Sequence, residues 1–280
     1  MTNEKYLEYK SFIKDYVDSR KQDLKTEVTN IRKETGLIPS LLIVQVGDDF
    51  ASNKYVGGKI KDCEEVGILC THQNFKEDIG EDELLEFIRK ANDKFDGIIV
   101  QLPLPKHIDV NKVNDAISTK CDVDGFKVES RFVPCTPLGV YNLLMEVFKD
   151  DKKLDGKNVV VLGRSDIVGK PMAKLLVERT DATVTICNSH TKNIEEITRR
   201  ADIIISAIGK AKFVVGDMVS KNVTIIDVGI NRSNDNKLCG DVDFESLPEE
   251  INFITPVPGG VGLLTRLTLL ENVLDAFKNN

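Results

Sequence analysis

The sequence has no surplus of basic residues. Its 38 lysines and arginines are outnumbered by 45 acids, for a net charge of −7. No nucleic acid is expected as a partner, because nothing is left over to neutralise phosphates. Long apolar runs are also missing. None approaches the roughly 20 residues that span a bilayer, so no membrane partner is expected. The opening MTNEKYLEYKSFIKDY is polar and mixed in charge, unlike a secretory signal or an acid-poor transit peptide. Histidine is scarce, at three residues without a cluster. The six cysteines (63, 70, 121, 135, 187 and 239) form no CxxC and no metal-type spacing. No metal is expected, and the thiols read as reduced groups of a cytoplasmic protein.

What is present is enough for two domains. The chain has 280 residues, 41% hydrophobic and 30% charged, the balance of a soluble globular protein. Apolar runs at 41–47, 68–75 and 97–102 read as strands, with helical patterns near 51–66 and 81–94 between them. A second series of strands follows at 158–163, 183–187, 203–208 and 223–230. Strands alternating with helices predict parallel α/β sheets, one per half, covered on both faces. The charged stretch 148–157 is the weakest join and is taken as the domain boundary. A last apolar helix at 263–277 is expected to pack back on the first domain. The domains are then 1–147 plus 263–280, and 148–262.

Residues 158–171, NVVVLGRSDIVGKP, carry the most information. An apolar strand leads into Gly163, Arg164 and Ser165, and Gly169 opens a helical pattern. Such a turn aims backbone N–H groups and a helix dipole at a phosphate. The glycine spacing is wider than GxGxxG, and Lys170 precedes proline, so this is no Walker A loop. The glycines alone fit an ordinary βα turn equally well; Arg164 and Ser165 at the tip favour an anion. After the next strand stand Asn188, Ser189 and His190, where an NAD site usually places an acid. With Arg164 nearby, that absence suits a 2′-phosphate and favours NADP.

Tyr55 and Lys59 lie four residues apart and share a helix face. Gly57 and Gly58 between them each cost about 0.5–1 kcal/mol against alanine, which the close approach of a ligand or a neighbouring helix would explain. Lysine does acid–base chemistry only when its surroundings bring its pKa toward neutrality, and a solvated lysine is the plainer alternative. Gln101 stands at the carboxyl end of a strand, where ligands bind parallel sheets, or it satisfies the loop. The acidic turn 122–126 (DVDGF) lacks the later glutamate of a calcium loop. Residues 134–139 and 256–262 read as rigid loops that reverse the chain.

Together these segments resemble the methylenetetrahydrofolate dehydrogenase/methenyltetrahydrofolate cyclohydrolase family. The matches are VGDDFASNKYVGGK (46–59), VQLPLPKHI (100–108), CDVDGF (121–126), PCTPLG (134–139), GRSDIVGKP (163–171), DVGIN (227–231), GDVDF (240–244) and PVPGGVG (256–262). They run in family order across nearly the whole chain. The resemblance implies two α/β domains with a cleft between them, the second a Rossmann-like dinucleotide-binding domain, assembled as a homodimer. It implies oxidation of 5,10-methylenetetrahydrofolate with NADP, then hydrolysis to 10-formyltetrahydrofolate. Lys59 becomes the cyclohydrolase residue, Gln101 its tuning contact, and Asp124 the pterin ligand. Tyr55 stacks on the folate, with Ser52, Pro258 and Gly259 also at the substrate. Gly163, Arg164, Ser165, Gly169, Ser189 and Ile230 become the cofactor-binding residues. Asn188 replaces the family's usual histidine, Leu263 and Leu264 replace its Pro-Met, and the first 35 residues show little of its pattern. Two other readings stay open: a different two-domain NADP oxidoreductase, shikimate-dehydrogenase-like, and a non-catalytic folate or nucleotide sensor. The first gives no reason for Tyr55, Lys59, Gln101 and Asp124 together.

Overall fold

The computed structural model describes residues 1–149, 154–233 and 236–279. Residues 150–153, inside the expected domain join, lie outside the described residues. The chain divides into two compact units. The early unit is Ser19–Cys135 with Arg266–Asn280, and the late unit is Thr136–Thr265 with Met1–Asp18. This division differs from the boundaries expected at 147/148 and 262/263. Residues 1–18 and 136–147 belong with the late unit, and the division falls inside the first and last helices.

Helix α1, Asn3–Thr35, was not anticipated. Its late-unit portion is fixed by specific contacts. The Met1 amine donates to the Leu247 carbonyl at 2.6 Å, and the Tyr6 ring stacks on Phe244 at 4.3 Å. Lys5 Nζ donates to the carbonyls of Glu249 and Ile251. These bonds explain why residues 1–18 join the late unit.

The early unit is built on three parallel strands: β1 (Ser40–Val46), β2 (Leu69–Phe75) and β3 (Gly97–Val100), in the order β2-β1-β3. Ser40 pairs with Leu69 and Leu41 with Gly97. β1 and β3 are buried on both faces, as the aliphatic LLIV of β1 and IIV of β3 require. Helix α2 (Phe50–Val66) follows β1; Asp49 caps it by accepting from Ser52 N at 2.7 Å. Helix α3 (Glu81–Ala91) buries Leu84, Leu85, Ile88 and Ala91, with acids in its first turn and bases in its last, as the helix dipole favours. It stops short of the expected residue 94 because the Asn92 side chain is engaged elsewhere. That amide donates to Ala116 O and accepts from Ser118 N, closing helix α4 (Val110–Ala116).

Helix α5 (Cys135–Phe148) corrects the expected loop at 134–139. Pro137 sits in its first turn, where an amide has no helical acceptor to lose. The late unit then forms a five-stranded sheet: β4 (Asn158–Leu162), β5 (Thr183–Cys187), β6 (Ile203–Ser206) and β7 (Thr224–Asp227) come first. Helix α6 (Gly169–Arg179) connects β4 to β5, and α7 (Ile194–Arg199) connects β5 to β6. A short hairpin, β8 (Asn231–Arg232) and β9 (Leu238–Cys239), precedes β10 (Phe253–Ile254). The order is β10-β7-β6-β4-β5, every pair parallel. This is a doubly wound sheet whose order reverses between β4 and β6.

Helix α8 (Val261–Asn279) ends the chain and starts two residues before the expected 263. Within the early unit it meets α1 and α2 through buried charges. Lys21 Nζ bonds Asp62 Oδ1 at 2.6 Å, and Arg266 Nε lies 3.0 Å from Asp62 Oδ2. The Asp62 side chain is only 5% exposed. Stripping a partner from a buried pair costs about 3–5 kcal/mol, so this cluster ties the three helices together. Among the described residues no helix is long and apolar enough to cross a membrane.

Candidate active site

In the early unit, one face of α2 and the loop after β3 bring polar groups together. Lys59 Nζ donates to Gln101 Oε1 at 3.1 Å. Gln101 in turn donates through Nε2 to Leu102 O at 2.7 Å, which fixes its amide so that the oxygen faces the lysine. Gln101 N still bonds Val44 O at 2.8 Å, extending the ladder one residue past β3. The buried Ser52 hydroxyl, on the same helix, donates to Leu102 O at 3.4 Å. Tyr55 is partly buried, and burial pushes its hydroxyl pKa up, against the pull of Arg266.

The two aspartates of DVDG differ in role. Asp122 accepts from Phe126 N and Lys127 N, and so builds the turn. Asp124 does not share that task. Burial pushes its carboxyl up, while the charge of Lys59 pulls it down. Lys59 is thus linked to Gln101 by a hydrogen bond and to Asp124 by charge. Of the paired glycines, Gly58 is explained by a neighbouring helix: a Cβ there would overlap the Arg266 guanidinium of α8. Gly57 has open space around it.

In the late unit, Gly163 follows β4 with φ of +108°. A Cβ there would also overlap the carbonyl of Ala207, after β6, so only glycine fits the switch point. Gly169 is pressed against the Gly163 carbonyl in the same way. Ser165 Oγ accepts from Val168 N at 3.2 Å and Gly169 N at 3.3 Å, ordering the start of α6. Arg164 and Ser189 are exposed. Asn188 Oδ1 accepts from His190 N at 2.9 Å and holds the turn that carries Ser189. Isoleucines 167, 208 and 230 stand exposed on the loops after β4, β6 and β7, with Ile230 51% exposed. Apolar side chains facing outward at the carboxyl ends of these strands, beside a glycine turn and a helix start, fit a dinucleotide. Pro258 and Gly259 also belong to the late unit, whereas Ser52, Tyr55, Lys59, Gln101 and Asp124 belong to the early one. Among the described residues no group of His, Cys, Asp and Glu is arranged to hold a metal ion.

A family model for the tetrahydrofolate dehydrogenase/cyclohydrolase catalytic domain matches residues 13–124. The model for the NAD(P)-binding domain of the same proteins matches residues 134–280. The chain belongs to the tetrahydrofolate dehydrogenase/cyclohydrolase family. It is 48% identical over 269 residues to the bifunctional protein FolD of Agathobacter rectalis, covering 92% of this chain and 95% of that one. The crystal structure of the bifunctional enzyme FolD from Campylobacter jejuni is similar with a TM-score of 0.89 at 42% identity, over 95% of this chain and 96% of that one. The methylenetetrahydrofolate dehydrogenase-cyclohydrolase of Trypanosoma brucei, solved with NADP and an inhibitor, gives 0.86 at 31% identity, over 94% and 95%. This tetrahydrofolate dehydrogenase/cyclohydrolase is an oxidoreductase and a hydrolase of folate one-carbon metabolism.

Sequence reasoning missed two residues that shape the late unit of this tetrahydrofolate dehydrogenase/cyclohydrolase. Asp227 and Asp241 lie in the DVGIN and GDVDF matches, and both are buried. Asp227 accepts from Gly229 N, Asp241 N and Val242 N at 2.9–3.1 Å. The available signal was an acid directly after the paired isoleucines of TIID in β7. Burial pushes the Asp227 carboxyl up to about 7, against the pull of its amide donors. Its folded-state value therefore lies above the roughly 3.9 of an unfolded aspartate. The stability it contributes is complete below that unfolded value and is lost as pH rises through about 7. Urea unfolding from pH 4 to 8 should show this decline, and Asp227→Asn should flatten it; an unchanged slope would remove Asp227 as its source.

Proposed function

We propose that this enzyme oxidises 5,10-methylenetetrahydrofolate with NADP and then hydrolyses the methenyl product to 10-formyltetrahydrofolate. The observation that carries the hydrolytic half is the 3.1 Å bond from Lys59 to Gln101, one helical turn from Tyr55 and coupled to Asp124. Tyr55 offers a ring face to the aromatic part of the folate. A carboxylate accepts two hydrogen bonds from an amino-pyrimidine edge, which is the part given to Asp124. The methenyl cation favours the neutral amine of Lys59 by like-charge repulsion, and that amine takes a proton from water as the water oxygen bonds the methenyl carbon. It returns that proton to the folate nitrogen as the carbon–nitrogen bond breaks, and the remaining hydroxyl proton leaves to solvent as the formyl carbonyl forms. Ser52, Pro258 and Gly259 complete the substrate side.

Bound NADP supplies the acceptor for a hydride from the one-carbon bridge. The chain's own part in that step is to bind and orient. Gly163 and Gly169 let the backbone approach the phosphates, Ser165 orders the helix start, and Ile230 faces the ring. Arg164 and Ser189 hold the 2′-phosphate, since no acid follows β5. A homodimer in the cytoplasm completes the reading. Its support is β5, an edge strand exposing Ile186 at 43% beside the 64% exposed Val177 of α6. The six cysteines form no disulfide, which accords with a reducing compartment.

Three measurements test these assignments. Lys59→Met should abolish ring opening of methenyltetrahydrofolate while folate binding stays measurable, and full hydrolysis by that variant would overturn the role of Lys59. Arg164→Ala should raise the Michaelis constant for NADP about 10- to 150-fold, the worth of a charge-assisted bond, with that for NAD nearly unchanged. A wild-type preference for NAD would dismiss the 2′-phosphate role. For assembly, Ile186→Lys should sediment as a monomer; a dimer that persists would place the contact elsewhere.

A further inference from the structure

The β6 and β7 loops converge on one carboxylate. Asp241 is fully buried and accepts five hydrogen bonds. Oδ2 takes Ser206 Oγ at 3.2 Å, Ile208 N at 2.7 Å and Gly209 N at 3.2 Å. Oδ1 takes Lys210 N and Asn231 Nδ2, both at 2.9 Å. Three consecutive amides, 208–210, turn inward on one anion, the concave backbone arrangement that elsewhere binds phosphate. Here the anion belongs to the chain, so the loop is set before any ligand arrives. Gly229, in the β7 loop, has no side chain because a Cβ would overlap this carboxylate.

The residues so held are those that leave apolar surface outward. Ile208 donates its own amide to Asp241, and Ile230 lies between Gly229 and Asn231, one packed against the carboxylate and the other bonded to it. Both isoleucines are exposed, at 37% and 51%, beside strands whose other isoleucines are buried. Their place in the sheet says which end of a dinucleotide they meet. The strand order is β5-β4-β6-β7, with the glycine turn on β4. Ser189 follows β5 on one side, and the loops held by Asp241 follow β6 and β7 on the other. A cofactor with its 2′-phosphate over β5 and its pyrophosphate at Gly163 carries its nicotinamide over β6 and β7.

We propose that Asp241 is a positioning residue for the nicotinamide end of NADP, acting through Ile208 and Ile230. This rests on the NADP reading given above. Asp241→Asn keeps the shape but turns an amide donor toward backbone donors. Calorimetry compares NADP with 2′,5′-ADP, which lacks the nicotinamide end. For the variant, the dissociation constant for NADP should rise about 10-fold or more, while that for 2′,5′-ADP stays within about twofold. Equal weakening of both ligands would reduce Asp241 to a general structural role, and no weakening of either would overturn the proposal. If Asp241→Asn does not fold, Asn231→Ala removes one of the five donors, and the same ligand pair decides by the same outcomes. Wild-type protein that fails to bind NADP would instead refute the cofactor reading itself.

Discussion

A parallel sheet leaves its carboxyl ends ringed by loops whose amides have no strand to pair with, and those amides cannot be buried without acceptors. In the late unit the acceptors are two buried carboxylates. Asp227 closes β7 and reaches the amides of residues 229, 241 and 242, and Asp241 then reaches the loop after β6. Because Asp227 binds the Asp241 amide, the two acids form one chain of support rather than two separate turns. The glycine turn after β4 packs on the loop they organise, through Gly163 and Ala207. The loops after β6 and β7 depend on the oxygens of these two buried acids meeting their amides.

The early unit solves a different problem with the same economy of groups. The lysine proposed to act there needs a helix that stays fixed. Asp62 lies on the same helix as Lys59 and binds Lys21 from α1 and Arg266 from α8. The charges that anchor α2 are thus separate from those proposed to do chemistry. Gln101 has a comparable division: its amide nitrogen is spent on Leu102 O, which leaves the oxygen for Lys59.

Much of the fold was legible because buried strands carry aliphatic runs, such as VVVL in β4 and III in β6. Helix α1 was not, since its buried stripe of Ile13, Val17, Leu24 and Val28 is diluted among charged residues. The start of α5 was hidden by Pro134 and Pro137, which punctuate loops more often than helix openings. Lys59 and Gln101 stand 42 residues apart, so no local pattern joins them, and only the family resemblance implied their contact. Asp227 and Asp241 escaped notice because composition marks acids as solvent-facing. Only packing reveals that these two face inward.

Gly58 and Arg266 restrict how this protein can change over time. The guanidinium fills the space a side chain at position 58 would need, and it also neutralises the buried Asp62. Enlarging residue 58 would push the guanidinium aside and weaken its hold on Asp62. Shortening residue 266 would free the space but leave Asp62 to Lys21 alone. Substitutions at these two sites are therefore coupled to each other through Asp62.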